Sequence, residues 1–452
     1  MAENLDRLLS IKAGQPEYSI SYSEIKDIQV AAVNERLQEQ GVNIKLVALR
    51  AKDAGISEIS KLEDIVPLLL PHTAYKSYPD SFIANKRWDR LTKWLGTVSA
   101  YPVDNVDLAG VEDLDGWLDA CQKAGLMVSC TSGTTGKPAM LVASQKDLDF
   151  SGEDGVAAIQ WATKIRPGDN RVLSGAVGGV AMTPRAKASG GAMMGAFVNF
   201  DVPVFDPGLP PITIGSLTKS ILLRKAITEG TAAPEEIAQF EKEAQDKEKA
   251  IAASQEAAAD DIISKRNHRL YITGMWAQLF SLAELVRSKG YSADDFHPEN
   301  AVFLAGGLKG KKLPPDYKQF VFETFNLNPD YIYQMYGMQE INSSMPKCRE
   351  GRYHIPPWLV CLPLDKSGEH LVDGVGKGSV EGRAAFFDLS LDGRWGGIIS
   401  GDHIEINYEP CSCGSASPSI ADNISRYSDL EGDDKIACSG TTDAYVRGLT
   451  SD

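Results

Sequence analysis

The chain has 452 residues, 43% of them hydrophobic, enough to bury several cores, so two to four packed units are expected. Its formal charge of −15 argues against nucleic acid and anionic membranes as partners. No run approaches the ~20 apolar residues of a membrane-spanning helix, the first residues lack a basic and then apolar leader, and seven scattered cysteines suit reduced thiols, so a cytoplasmic protein is expected.

The segment from Tyr22 to Leu37 carries apolar residues at helical spacing. Residues 59–79 read as a helix and then a proline-bounded loop, ending Thr73-Ala74-Tyr75-Lys76-Ser77-Tyr78-Pro79. A short apolar run, Leu126-Met127-Val128, reads as a strand. It leads into Thr131, Ser132, Gly133, Thr134, Thr135, Gly136, Lys137 and Pro138. Four hydroxyls, two glycines and a lysine within seven residues suit a polyanion. Glycine lets the backbone approach closely, and successive N–H groups with an ammonium make a phosphate cradle. The Walker A pattern does not fit, because the glycines are too close and Pro138 stands where the magnesium-binding hydroxyl belongs.

Residues 171–206 alternate apolar runs with glycine and proline, as strands and loops of an α/β core do; Gly178-Gly179 and Gly190-Gly191 read as turns or pocket lining. From 216 to 267 the composition turns to Ala, Glu, Lys and Gln. Pro234-Glu235-Glu236 marks a helix start, and Ile237, Phe240, Ala244 and Ile251 form a thin apolar stripe: a solvated helical insertion. Strands follow at Leu270–Thr273, Ala301–Leu304 and Tyr331–Tyr333, with helices at Ala277–Arg287 and Asp316–Phe325 between them. That alternation predicts a parallel, doubly wound sheet, with ligands beyond the carboxyl ends of its strands.

Gly306-Gly307-Leu308 after a strand offers a flat turn on which a ring can lie, and Tyr336-Gly337-Met338-Gln339-Glu340 ends the next strand. The Glu340 carboxylate suits Mg²⁺; the alternative is a helix start near a positive dipole. Ser400-Gly401-Asp402 offers a carboxylate to a sugar diol, or an ordinary turn. Cys348, His354, Cys411 and Cys413 have the ligand types of a tetrahedral zinc site but not a standard finger spacing, and free buried cysteines are the alternative. His268 reads as a packing histidine, and no G-x-S-x-G or H-E-x-x-H motif supports a hydrolase.

The string from Ser132 to Pro138 resembles the signature of the adenylate-forming superfamily, which includes acyl-CoA synthetases, non-ribosomal adenylation domains and luciferases. The usual pattern ends Pro-Lys; Ala139 replaces that lysine, and Lys137 is expected to do part of its work. Residues 59–79 are similar to the N-terminal region of phenylacetate–CoA ligase-like proteins, some of which show a similar cysteine and histidine arrangement. The resemblance implies a large α/β adenylation core of several subdomains, with parallel and mixed sheets flanked by helices, over 1–425. It implies ATP and Mg²⁺ as cofactors, a small carboxylic acid as substrate, and CoA as the acceptor of the acyl group. Thr131, Lys137 and Glu340 would be catalytic, with Glu340 on Mg²⁺. Thr131 to Lys137, Gly306, Gly307, Leu308, Tyr336, Gly337, Met338, Gln339, Asp402 and Arg426 would hold the nucleotide. Gln339 stands where threonine is usual. Gly274 and Trp276 match the acyl-pocket region, with core packing as the alternative for Trp276. Asp434, Lys435 and Gly440 resemble the hinge, so 426–452 would be a hinge and a stub, with the family's C-terminal lid absent or truncated. Rival readings are an acyl-protein synthetase, with Cys438 as a conceivable acceptor, an amide-forming ligase, and a non-catalytic nucleotide-binding subunit. A homo-oligomer is compatible with all of them.

Overall fold

Four strands that the apolar runs foretell stand side by side: Val172–Gly175, Leu270–Gly274, Asn300–Leu304 and Leu327–Tyr336, all parallel. They belong to a computed structural model that describes residues 3–11, 17–131, 137–176, 181–304 and 312–431, with Ile436, Tyr445 and Gly448. By contacts the chain divides into two units: Met1–Asp154, Thr183–Ser189 and Gly337–Asp452 form the first, and Gly155–Met182 and Gly190–Tyr336 the second. This is a finer division than the single core expected over 1–425.

The parallel sheet lies in the second unit and is covered on both faces, which is why its strands read as continuous apolar runs. Leu270, Ile272, Val302 and Leu304 pack into one core, while Tyr271 and Ala301 pack into another, as the two-residue period of a strand requires. The first core is closed by the helix Trp276–Ser288, whose buried residues Trp276, Leu279, Leu282, Ala283 and Val286 keep helical spacing, and by the helix Tyr317–Phe325. Asn300 serves both layers: its side chain accepts from Leu270 N at 2.9 Å and donates to Phe325 O at 3.0 Å.

The helical insertion is a pair, Ile214–Thr228 and Pro234–Ser264. Thr213 caps the first, accepting from Ser216 N at 3.0 Å, and Pro234 opens the second. The expected stripe does not anchor it. The buried residues are Ser254, Ala258, Ala259, Ile262 and Ile263, because only the last third of that helix runs against the sheet beside Val172.

The first unit holds the mixed sheet that accompanies the parallel one. Its main sheet runs Leu359–Leu364, Ser379–Asp388, Gly397–Asn407, Ser419–Ile420, Tyr353–His354, each antiparallel to the next. Leu70–Pro71 adds in parallel, and Ser425–Arg426 antiparallel, to the central strand Gly397–Asn407. The run predicted at 126–128 is the first arm of a separate antiparallel hairpin, Met127–Cys130 with Met140–Ala143. The strands on either side of the hydroxyl- and glycine-rich segment therefore pair with each other and not with the parallel sheet. Among the described residues no helix is long and apolar enough to cross a membrane.

Gly393 brings the sheet's neighbouring loop onto this hairpin. Its carbonyl accepts from Ala100 N at 3.0 Å, and a Cβ on it would stand 2.7 Å from Ala143 Cα and Ser144 N. Both obstacles are backbone and cannot rotate away. Gly393→Ala is expected to lower stability by ~1–3 kcal/mol, read as a lower urea midpoint at unchanged slope; an unchanged midpoint would show that the approach is not constraining.

Candidate functional site

The neck of the hairpin is closed by Thr131, whose N–H donates to Ala139 O at 3.2 Å and whose Oγ1 accepts from Ala139 N at 2.9 Å. Ser132 to Gly136 lie outside the described residues. Lys137, on the far side of the tip, donates to Tyr78 O, sits 3.1 Å from an Asp80 carboxylate oxygen, and stands 4.5 Å from the centre of the Tyr78 ring. Tyr78 is buried, donates to Pro138 O at 2.8 Å, and meets Trp94 edge-on. The proline-bounded string at 72–80 is thus the support on which the lysine end of the loop rests.

The same string turns toward Glu340. Burial lowers the pKa of the Lys76 ammonium, the Glu340 carboxylate opposes that shift, and the Arg426 guanidinium adds to it, so Lys76 lies within reach of both charges. Tyr75, fully buried and pushed up to about 12 by that burial, feels Arg394 and Glu340. Arg426 is paired in register with Asp402, its Nε 3.4 Å from the carboxylate.

Glu340 sits in a turn, followed by irregular chain rather than a helix. The segment from Met338 to Ser344 is irregular, and from Ile341 onward it is buried, so its backbone polar groups must find partners outside regular structure. Its carbonyls are taken by two arginines. Arg185 donates from Nη1 to Met338 O at 3.1 Å and Gln339 O at 3.3 Å, and from Nη2 to Asn342 O at 3.2 Å. Arg394 donates from Nη2 to Gln339 O at 3.2 Å and Glu340 O at 3.0 Å. Its amides are taken by carboxylates. Asp388 accepts from Asn342 N at 2.6 Å and Ser343 N at 2.8 Å, and Asp154 from Ser344 N at 2.7 Å. Burial, and then Arg394, bring the Arg185 pKa down to about 10, against Asp388, Asp154 and Glu340; it stays charged at neutral pH.

The first unit therefore gathers Thr131, Lys137, Gly337 to Glu340, Asp402 and Arg426. In the second unit, Tyr336 ends the strand Leu327–Tyr336 and Gly274 ends Leu270–Gly274. Trp276 is buried there, edge-on to Tyr317 at 5.3 Å. Gly178, Gly179, Gly306, Gly307, Leu308, Asp434, Lys435, Cys438 and Gly440 lie outside the described residues. Sequence reasoning missed Lys76, Arg185, Arg394, Asp154 and Asp388. Lys76 stood inside a string already singled out; the others carry no local signal.

Cys348, His354, Cys411 and Cys413 do converge, with one ligand atom from each and all four atoms within 4.8 Å of one another. Two tight turns supply the thiols. Gly351 N donates to Cys348 O at 3.0 Å, and Gly414 N to Cys411 O at 2.9 Å, with both glycines at positive φ. His354 is buried in the short strand Tyr353–His354 with Nδ1 2.9 Å from Ser417 Oγ, leaving Nε2 3.4 Å from Cys413 Sγ. Burial depresses its pKa to about 4, so the ring is neutral and able to ligate at neutral pH.

Asp388→Ala should unlock the Glu340 loop. It orphans two buried loop amides, together with Ser390 N and Oγ, each at about 1–3 kcal/mol, so a loss of at least ~4 kcal/mol in a urea melt and faster hydrogen exchange at Asn342 and Ser343 are expected. Unchanged exchange there would remove the carboxylate's assigned role.

No protein-family model and no curated protein matches the chain. Among solved structures it is similar to 2-hydroxyisobutyryl-CoA ligase in the postadenylation state with R3-HIB-AMP, at TM-score 0.56 and 14% identity, covering 91% of this chain and 70% of that one. An open conformation of the same ligase with 2-HIB-AMP and CoA matches at TM-score 0.54 and 14% identity, covering 90% and 76%. The chain has the fold of these ligase structures.

Proposed function

We propose that the chain activates a small carboxylic acid with ATP, forming an acyl-adenylate and pyrophosphate, and passes the acyl group to CoA. The observation that carries this is the gathering, in one unit, of the hairpin's Lys137, the Lys76–Glu340–Arg426 group and Asp402 around the string 72–80. The ligase structures of the same fold, with bound adenylate and CoA, support both half-reactions.

In this reading the hairpin from Thr131 to Lys137 holds the phosphates through its amides, hydroxyls and ammonium. Asp402 accepts from the ribose hydroxyls, with Arg426 beside it. Tyr336 and Gly306 to Leu308 receive the adenine. The acid lies near Gly274, with Trp276 shaping its site from the core. Glu340 offers a hard oxygen whose charge Lys76 feels, a donor that would suit Mg²⁺. When bound, Mg²⁺ would offset charge on the phosphates as the acid's carboxylate adds to the α-phosphorus. Lys76 and Lys137 bring fixed positive charge to the same region, so the residues act chiefly by position and electrostatics.

ATP–pyrophosphate exchange over a panel of small acids tests the first step. Exchange with at least one acid is expected, and Glu340→Gln should slow it about 10²–10³-fold at unchanged melting temperature. No exchange with any acid removes the enzyme assignment. Product analysis with CoA, amines and no added acceptor then tests the second step.

The Cys348, His354, Cys411 and Cys413 cluster is proposed to hold Zn²⁺. Four protein ligands close a tetrahedral ion and leave no position for substrate, so the role is structural. Freshly purified protein should contain one zinc per chain, and chelation should lower its melting temperature; protein that is stable without metal would refute the site.

A further inference from the structure

We propose that Arg394 is a positioning residue for adenylation: one buried guanidinium sets the distance between the phosphate-binding hairpin and the Glu340 carboxylate. The inference rests on the function proposed above. Arg394 is 3% exposed, and its backbone is fixed by a bridge to Ser99. Its Nη1 donates to Val142 O at 2.8 Å, in the strand Met140–Ala143 that leaves the hairpin tip. Its Nη2 donates to Gln339 O and Glu340 O. The two arms of a rigid planar fork thus tie the strand that leaves the hairpin to the loop that carries Glu340.

Arg185 grips the same loop at Met338, Gln339 and Asn342. Loss of Arg394 therefore leaves the loop held but no longer tied to Val142. A lysine there keeps the charge, yet its single ammonium cannot reproduce a fork that reaches two strands of backbone. A misplacement of about 1 Å between phosphate grip and metal ligand costs on the order of 10²-fold in rate. Arg394 touches no reacting atom in this scheme; its effect passes through Glu340.

The test compares binding of α,β-methylene-ATP in excess EDTA with binding of its Mn²⁺ chelate, in wild type, Glu340→Gln and Arg394→Lys. In wild type the chelate should bind about tenfold or more tighter than the free nucleotide. Glu340→Gln should bring that ratio near unity. Arg394→Lys should bind free nucleotide within about threefold of wild type yet show the low ratio of Glu340→Gln. A wild-type ratio in Arg394→Lys overturns the inference and leaves the proposed function standing. A ratio of one in wild type, or no nucleotide binding, overturns both. Should Arg394→Lys fail to fold, hydrogen exchange on wild type decides: the chelate should protect Met140–Ala143 and residues 341–344 together, and protection confined to one segment overturns the proposal.

Discussion

The structure around the candidate site depends on a stretch of buried backbone with no helix or strand of its own. The carbonyls of Met338, Gln339, Glu340 and Asn342 are met by guanidinium groups, and the amides of Asn342, Ser343 and Ser344 by carboxylates. Burying polar groups unpaired costs several kcal/mol, and burying charges unpaired costs more. The solution here is to bury charge and backbone together, each satisfying the other. Removing one ion strands the groups that it alone satisfies in a low-dielectric interior. Under the proposed function, this pairing of charge and backbone holds the loop at the point where the Glu340 carboxylate would act.

The network also explains why distant parts of the chain fold as one unit. Asp147 accepts from Ser144 N, Asp392 N and Gly393 N, and its own carbonyl accepts from Asn342 Nδ2. Asp388 closes one strand of the antiparallel sheet and binds the loop. Thr183–Ser189 joins this unit although the residues on either side of it belong to the other, and Arg185 is the side chain that pays for that excursion with three carbonyl contacts. Lys137 differs in kind. Its partner Asp80 is half-exposed, where ion pairs contribute little. Under the proposed function, a triphosphate would therefore displace Asp80 at small cost.

Much of the second unit was legible in the sequence because it obeys simple periods. Apolar runs of strand length alternate with helical spacing, and the helix at 276–288 shows its buried face residue by residue. The first unit was less legible. The strands Leu359–Leu364 and Met140–Ala143 are buried throughout, so no alternation marks which sheet they join or in which sense. The segment from Thr131 to Lys137 stands out by its residue types, but those types do not say how the strands on either side of it pair. The arginine clamp was hidden for a stronger reason. Arg185 and Arg394 act on backbone carbonyls, and a carbonyl carries no residue identity for a motif to record.

The cysteine and histidine cluster shows the opposite case, where residue identity was readable and spacing was not. Standard spacings arise when one short knuckle supplies neighbouring ligands. Here two separate knuckles and one sheet residue supply them, so the intervals in sequence reflect the path of the chain and not the coordination geometry. His354 pairs in register with Ser419, and Ser419–Ile420 pairs with the far end of Gly397–Asn407, the strand that carries Asp402. The cluster therefore fastens the outer edge of the same sheet whose central strand presents the carboxylate proposed to bind ribose. Under the proposed function, a closed tetrahedral zinc would add a rigid cross-link at that edge, and four protein ligands would leave no position for substrate.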